Sequence, residues 1–335
     1  MRTKIRVITV TLLITLTAYL GVTLSEFTRN MNSVYDDFYS ETNLADLMVI
    51  DEVQDEGNFT ALCEAHSDWN CESRLSLRGE ANMTSFCTAR KVKCDWIQSF
   101  WHGMTTNEVT SLHAVDGSME PAAGELVIDA HVANSHKVQV GDVMEIAAGG
   151  GIVELSVVGI AYNPLHLWYM PEGSLFPDNE NFIVGYLDAE TLAEIAGFQP
   201  GAMNELHIDL PGTPDFDIAS TNDVDEGKDL NPLREGVLED MRNSGMEGEV
   251  VDRSGMKSPE MLRIDLEGSQ KITPFVLVML LVISGLVIAV SIDRLVKSQA
   301  REIAVLRTIG TSGKDIRNIY MLVPLVLGIP GLTLG

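Results

Sequence analysis

Two uncharged apolar stretches stand apart from everything between them. Residues 7–24 (VITVTLLITLTAYLGVTL) and 272–292 (ITPFVLVMLLVISGLVIAVSI) contain no ionisable acid or base. Each approaches the ~20 residues that an α-helix needs to cross about 30 Å of hydrocarbon. They predict transmembrane helices at 1–24 and 272–292. A third uncharged run, 319–335, reads as the start of a further span that the sequence cuts off. Between the first two spans the pattern changes period. Residues 25–40 read as a helical stalk and 45–51 (ADLMVID) as a short strand. Residues 125–129, 143–147 and 153–160 are strand-like around a turn at 138–142 and a flexible Gly149-Gly150-Gly151 hairpin. Then come a strand at 182–187, a helix at 189–196 and a period-two strand at 205–210. A loop rich in Asp, Pro and Gly spans 211–232, followed by a helix near 233–243 and a strand at 248–252. Strands with short helices among them predict an α+β domain over 25–271, inserted between helical membrane spans. Residues 53–100 are polar and poor in strand pattern, and read as an insertion into that domain.

Charge adds a topology. The formal net charge of −25 divides into +3 before the first apolar run, −31 over 25–271 and +3 over 293–318. Short basic flanks stay on the cytoplasmic side, so the N-terminus and 293–318 are expected in the cytoplasm of a multi-pass protein of the cell membrane. The acidic domain is then outside. The first run is long for a signal-peptide core and no A-x-A site follows it, so it reads as an uncleaved anchor. The acidic balance suits a solvated surface and excludes nucleic acid, which needs basic patches.

An extracytoplasmic placement changes the meaning of the cysteines. Cys63, Cys71, Cys87 and Cys94 fall within the 53–100 stretch and read as disulfides, with nested and sequential pairings both open. None of their gaps has the C-x-x-C spacing of a zinc ribbon, so a metal site with His66 is disfavoured. Asn58 and Asn82 begin weak N-glycosylation sequons on the same stretch. The seven histidines show no ligand-like spacing, no nucleophile elbow is present, and no catalytic residue is expected. Trp168 and Tyr169, bounded by Pro164 and Pro171, read as core packing or as the lip of a binding site.

The segment after the second span carries the functional signal. Leu295, Ile303, Leu306 and Ile309 fall on one flank at helical spacing, with Arg294, Lys297 and Arg301 on another. By itself this is an interfacial helix facing anionic lipid, followed by a break at Gly310-Thr-Ser-Gly313. The run Arg301-Glu-Ile-Ala-Val-Leu-Arg-Thr-Ile-Gly-Thr-Ser312 resembles the R-E-I-x-x-L-R-x-x-G-A-S signature of FtsX-like (MacB/LolC-type) ABC-transporter permeases. It departs at Thr311, where the family has Ala, and at Gly313-Lys314, where Arg pairs are frequent. Weaker loop patterns agree: Gly124-Glu-Leu-Val-Ile-Asp129, Val140-Gly-Asp-Val143 and Val157-Val-Gly-Ile160.

The resemblance implies a MacB periplasmic-core-like domain and a permease subunit working with a separate ABC ATPase and a second permease copy or half. It implies docking through Leu295, Arg301, Glu302, Ile303, Leu306, Arg307, Gly310 and Ser312. Gly310-Thr-Ser-Gly-Lys314 has the wrong spacing for a phosphate-binding loop, so ATP belongs to the partner and no cofactor is expected in this chain. The cargo is left open among lipoprotein, lipid, peptide and drug. Two other classes stay in view: a mechanical transmitter controlling an extracellular hydrolase without transport, and a membrane-anchored enzyme or sensor.

Overall fold

The computed structural model describes residues 2–86, 95–171, 173–174, 176–213, 218, 230–320 and 322. The chain divides into two compact units, 34–264 and 1–33 with 265–335. These boundaries lie inside long helices. Helix α1, Arg2–Glu41, merges the first apolar run with the stalk, and a second long helix, α6, runs from Lys257 to Ser298 with Pro274 inside it. At about 1.5 Å per residue each is roughly 60 Å long, about twice the hydrocarbon thickness. Among the described residues the Lys257–Ser298 helix is the one long and apolar enough to cross a membrane. Within this unit the two helices are joined by a 2.6 Å hydrogen bond between Thr17 Oγ1 and Ser284 Oγ. Small hydroxyl residues make such close interhelical bonds in apolar surroundings. The expected third span lies, beyond 322, outside the described residues.

Unit 34–264 is built on strands β1 (Leu47–Asp55), β2 (Asn70–Asn82), β3 (Trp96–Met104), β4 (His113–Gly117), β5 (Glu125–Asp129), β6 (Val143–Ala148), β7 (Gly151–Tyr162), β8 (Ile183–Asp188), β9 (Ala202–Asp209) and β10 (Glu249–Asp252). Helices α2 (Glu56–Glu64), α3 (Ala130–His136), α4 (Ala189–Ala196) and α5 (Asn231–Asn243) lie between them, making the unit α+β. Six strands close a ring. β2 pairs with β3, β3 with β8, β8 with β5, β5 with β7, β7 with β6, and β6 returns to β2. Closure removes the open edges that such strands would otherwise present. Beyond the ring, β9, β1 and β10 extend from the first half of β2, and β4 pairs with β7.

Local chemistry explains several of these elements. β6 and β7 are joined by Gly149-Gly150, both at positive φ (+56° and +99°), as a two-residue primed hairpin turn demands. Asp188 caps α4 by accepting from the Thr191 amide, and Gly197 ends it in the left-handed region. Inside the ring the largest buried side chain is Trp101, whose indole Nε1–H donates to the Ala147 carbonyl at 3.1 Å. Gly79 and Gly185 leave room for it: a Cβ on Gly185 would lie 2.7 Å from the Trp101 ring.

The structure corrects the reading of 53–100 as an insertion. β2 and β3 sit at the centre of the sheet, and β2 pairs with β3, β6 and β9. Sequence pattern misses β2 because Glu72, Ser73, Arg74 and Ser76 are all buried. A strand that buries charges does not read as apolar. Cys63 at the end of α2 and Cys71 at the start of β2 form a disulfide, which selects one of the pairs left open. Cys87 and Cys94 lie outside the described residues.

Candidate functional site

The segment expected to couple to a partner is a helix–turn–helix device. The long helix ends at Ser298, and Gln299 turns the chain into α7, Ala300–Thr308. α7 ends in a Schellman motif. Gly310 adopts φ +99°, its amide bonds the Arg307 carbonyl, and the Thr311 amide bonds the Leu306 carbonyl. Ser312 then caps the helical stretch 313–320: its Oγ accepts from the Asp315 amide and donates to the Asp315 carboxylate at 2.6 Å. Tyr320 Oη closes the device by donating to Gln299 Oε1 at 2.6 Å. Of the residues the signature singles out, Gly310 and Ser312 thus have local structural roles that fix this geometry.

The others face outward. Arg301, Glu302, Leu306 and Arg307 are exposed, Ile303 is half-buried, and the Leu295 side chain is outside the described set. Val305 and Ile309 are also exposed, at 53% and 75%. None of the α7 residues is buried. A nine-residue helix is marginal without tertiary packing, and α7 leaves Val305 and Leu306 exposed between Arg301 and Arg307, with exposed Ile309 just beyond its end.

The large unit holds a second arrangement that sequence reasoning missed. Period-two geometry and strand register put Glu72, Arg74 and Ser76 of β2, His102 of β3, Tyr186 of β8, and Glu205 and His207 of β9 on one face of the sheet. The Arg74 guanidinium contacts Glu72 Oε1 at 2.8 and 2.9 Å and donates to the carbonyls of Val109 and Thr110. Glu72 Oε2 accepts from the Thr106 hydroxyl and the amides of Glu108 and Val109, each at 3.0 Å. A fully buried ion pair therefore holds the 105–110 loop against the sheet. Ser76 Oγ lies 2.8 Å from His102 Nδ1, and His102 Nε2 lies 2.7 Å from His166 Nε2. With both rings neutral, one of the two facing Nε2 atoms donates and the other accepts, and the Ser76 hydroxyl donates or accepts to match. Asp129 caps α3, meets His131 Nδ1 at 2.8 Å and accepts from Tyr186 Oη at 3.3 Å.

Burial sets the protonation of this network. Desolvation holds His102 well below its usual range, helped by neighbouring positive charge, and brings His166 down to about 4. Burial and the Arg74 charge also lower His207. Glu205 is pushed up by burial, but the hydrogen bond and charge of His207 outweigh this and leave it lowered. The unfolded chain takes up protons at these histidines near pH 6.5 while the folded chain does not, so stability falls as pH drops from about 6.5 towards 4. His166 alone is expected to contribute roughly 3 kcal/mol of loss by pH 4. Thermal unfolding of the full chain between pH 7.5 and 5 checks this. A midpoint that falls less steeply in His166→Asn is the expected outcome, and an unchanged pH slope counts against it.

The histidine pair could not have been found from spacing, because 64 residues separate its members. His66 stacks on Trp69 at 3.8 Å and faces Asp240 at 3.2 Å. Among the sequon residues, Asn58 is exposed on α2, whereas the Asn82 amide donates to Glu145. Tyr169 is buried, stacked on His131, with its hydroxyl donating to the Phe182 carbonyl. Trp168, half-buried beside it, lines a cavity.

Residues 274–335 match the FtsX-like permease C-terminal family, and this match contains the 301–312 signature. No curated protein matches the chain. Among solved structures, the periplasmic region of MacB from Actinobacillus actinomycetemcomitans is similar with a TM-score of 0.39 and 8% identity, covering 66% of this chain and 92% of that one. The extracellular domain of the noncanonic ABC-type transporter YknZ from Gram-positive bacteria gives a TM-score of 0.35 and 13% identity, covering 62% and 99%.

Proposed function

We propose that the chain is the permease subunit of an FtsX-like ABC transporter of the cell membrane, with its N-terminus and 293–318 segment cytoplasmic and unit 34–264 outside. It carries no ATPase chemistry of its own. A separate ABC ATPase binds the cytoplasmic side, a second permease copy or half completes the complex, and movement of the outer unit exports or releases the cargo. The family match over 274–335 carries this reading. The exposed α7 supports it. Arg301, Leu306, Arg307 and Ile309 present charge and apolar surface on or just after a helix that ends in a Schellman turn and a capped helix, which Tyr320 ties back to Gln299. Such a helix transmits a push as a rigid body to the long helix before it, which leads into α7 through Gln299.

The test is charge reversal on α7, Arg301→Glu and Arg307→Glu, in the full chain co-expressed with its cognate ATPase. Reversing a charge at a desolvated interface costs about 2 kcal/mol or more, so affinity is expected to drop roughly thirty-fold or further. Permease-dependent stimulation of ATP hydrolysis should fall with it. Wild-type binding and stimulation in both variants would refute docking through α7.

A further inference from the structure

A cavity of about 170 Å³ opens on the same sheet face as the buried histidine pair. Its apolar walls come from Phe100, Leu165, Met170 and Phe182, and the His166 ring closes one side. Its rim carries Arg78 and Lys257, both exposed. Register places Arg78 directly opposite Phe100, so the cation stands beside the apolar wall. Among the described residues no acidic side chain lines the cavity, although the surrounding 25–271 region carries a formal charge of −31. Trp168 also lines the cavity.

We propose that this cavity binds a carboxylate carrying one leucine- or phenyl-sized apolar group, the chemistry of a peptide's C-terminal residue. Two observations select that class. Size limits the apolar part: a cavity near 150 Å³ holds one benzene ring, so a long acyl chain does not fit. The two rim cations, in an otherwise acidic unit, select an anion and repel a cation. Arg78 and Lys257 are therefore the charge-selecting groups, and Phe100, Met170 and Phe182 the size-limiting wall. This binding is independent of ATPase docking, because every residue involved lies in unit 34–264.

The experiment uses the full chain in nanodiscs, with empty nanodiscs subtracted, and calorimetry or saturation-transfer NMR as readout. Three probes separate charge from size and source: 3-phenylpropionate, its neutral isostere 3-phenylpropanamide, and N-acetyl-Ala-Phe with a free C-terminus. The expected result is saturable binding of both acids, at least tenfold tighter than the amide. The tighter of the two acids identifies a peptide terminus or a free small acid as the source. Arg78→Glu/Lys257→Glu, changing two exposed side chains, should remove the preference for the acids while leaving amide binding and the unfolding midpoint unchanged. Leu165→Trp should fill the cavity and abolish binding of all three. Equal binding of acid and amide, no saturable binding of either acid, or full binding by Leu165→Trp would each overturn the proposal.

Discussion

Arg74→Met is expected to lower the stability of the large unit by about 3–5 kcal/mol, because it leaves the buried Glu72 carboxylate without its counter-charge. Both partners are fully buried, with side chains at 0% exposure. The loss extends beyond the pair itself. Arg74 donates to the carbonyls of Val109 and Thr110, while Glu72 holds the amides of Glu108 and Val109 and the Thr106 hydroxyl. The 105–110 loop is thus fastened to β2 from both charges, and it should become sensitive to proteolysis. For a unit of this size each kcal/mol moves the unfolding midpoint by roughly 2–4 °C, so a drop of about 6 °C or more is expected. Glu72→Gln should cost a similar amount, since it leaves the Arg74 charge unpaired and turns an amide NH2 onto either the guanidinium or the loop donors. A midpoint within 2 °C of wild type for Arg74→Met, with the loop still protected, would show that the pair does not fasten it.

Trp101→Ala is expected to cost a further independent ~3–5 kcal/mol by opening a cavity inside the six-stranded ring. The sign of a second substitution makes the prediction specific. In the native protein Gly185→Ala pushes a methyl to 2.7 Å from the Trp101 ring and should destabilise. In Trp101→Ala the same methyl enters the vacated space and should be neutral or stabilising. A double-mutant cycle on the unfolding free energy reads this coupling directly, with an interaction term of at least ~1 kcal/mol expected. Additive effects would mean that Trp101 and Gly185 do not share that space.

Most of the local structure was legible in the residues. Glu125-Leu-Val-Ile-Asp129 reads as a strand because its apolar run is short and β-branched, and β5 follows it residue for residue. The Gly149-Gly150 turn, the 189–196 helix and the strand near 205–210 follow from chemistry within a few residues of each position. β2 was not legible. Its buried Glu72 and Arg74 are tolerable only because loop groups more than thirty residues away satisfy them. The His102–His166 contact and the cavity beside it depend on the 163–170 segment folding back over β3, which no local pattern encodes.

The sequence by itself determined the apolar runs at 7–24 and 272–292, the charge asymmetry around them and the 301–312 signature, since each depends on composition or on neighbours within one helix. It also determined the turns, because positive φ at glycine is a property of the residue. The tertiary structure alone decided that β2 and β3 are central instead of inserted, that six strands close around Trp101, and that an ion pair, His102 and His207 lie buried on one face. It also decided that α7 stays exposed. The physical reason is the same throughout: burial of a charge, a ring or a strand is set by what packs over it, and those partners are distant in the chain, as with Ser76 and His102, 26 residues apart, or Ser76 and Asn204, 128 apart.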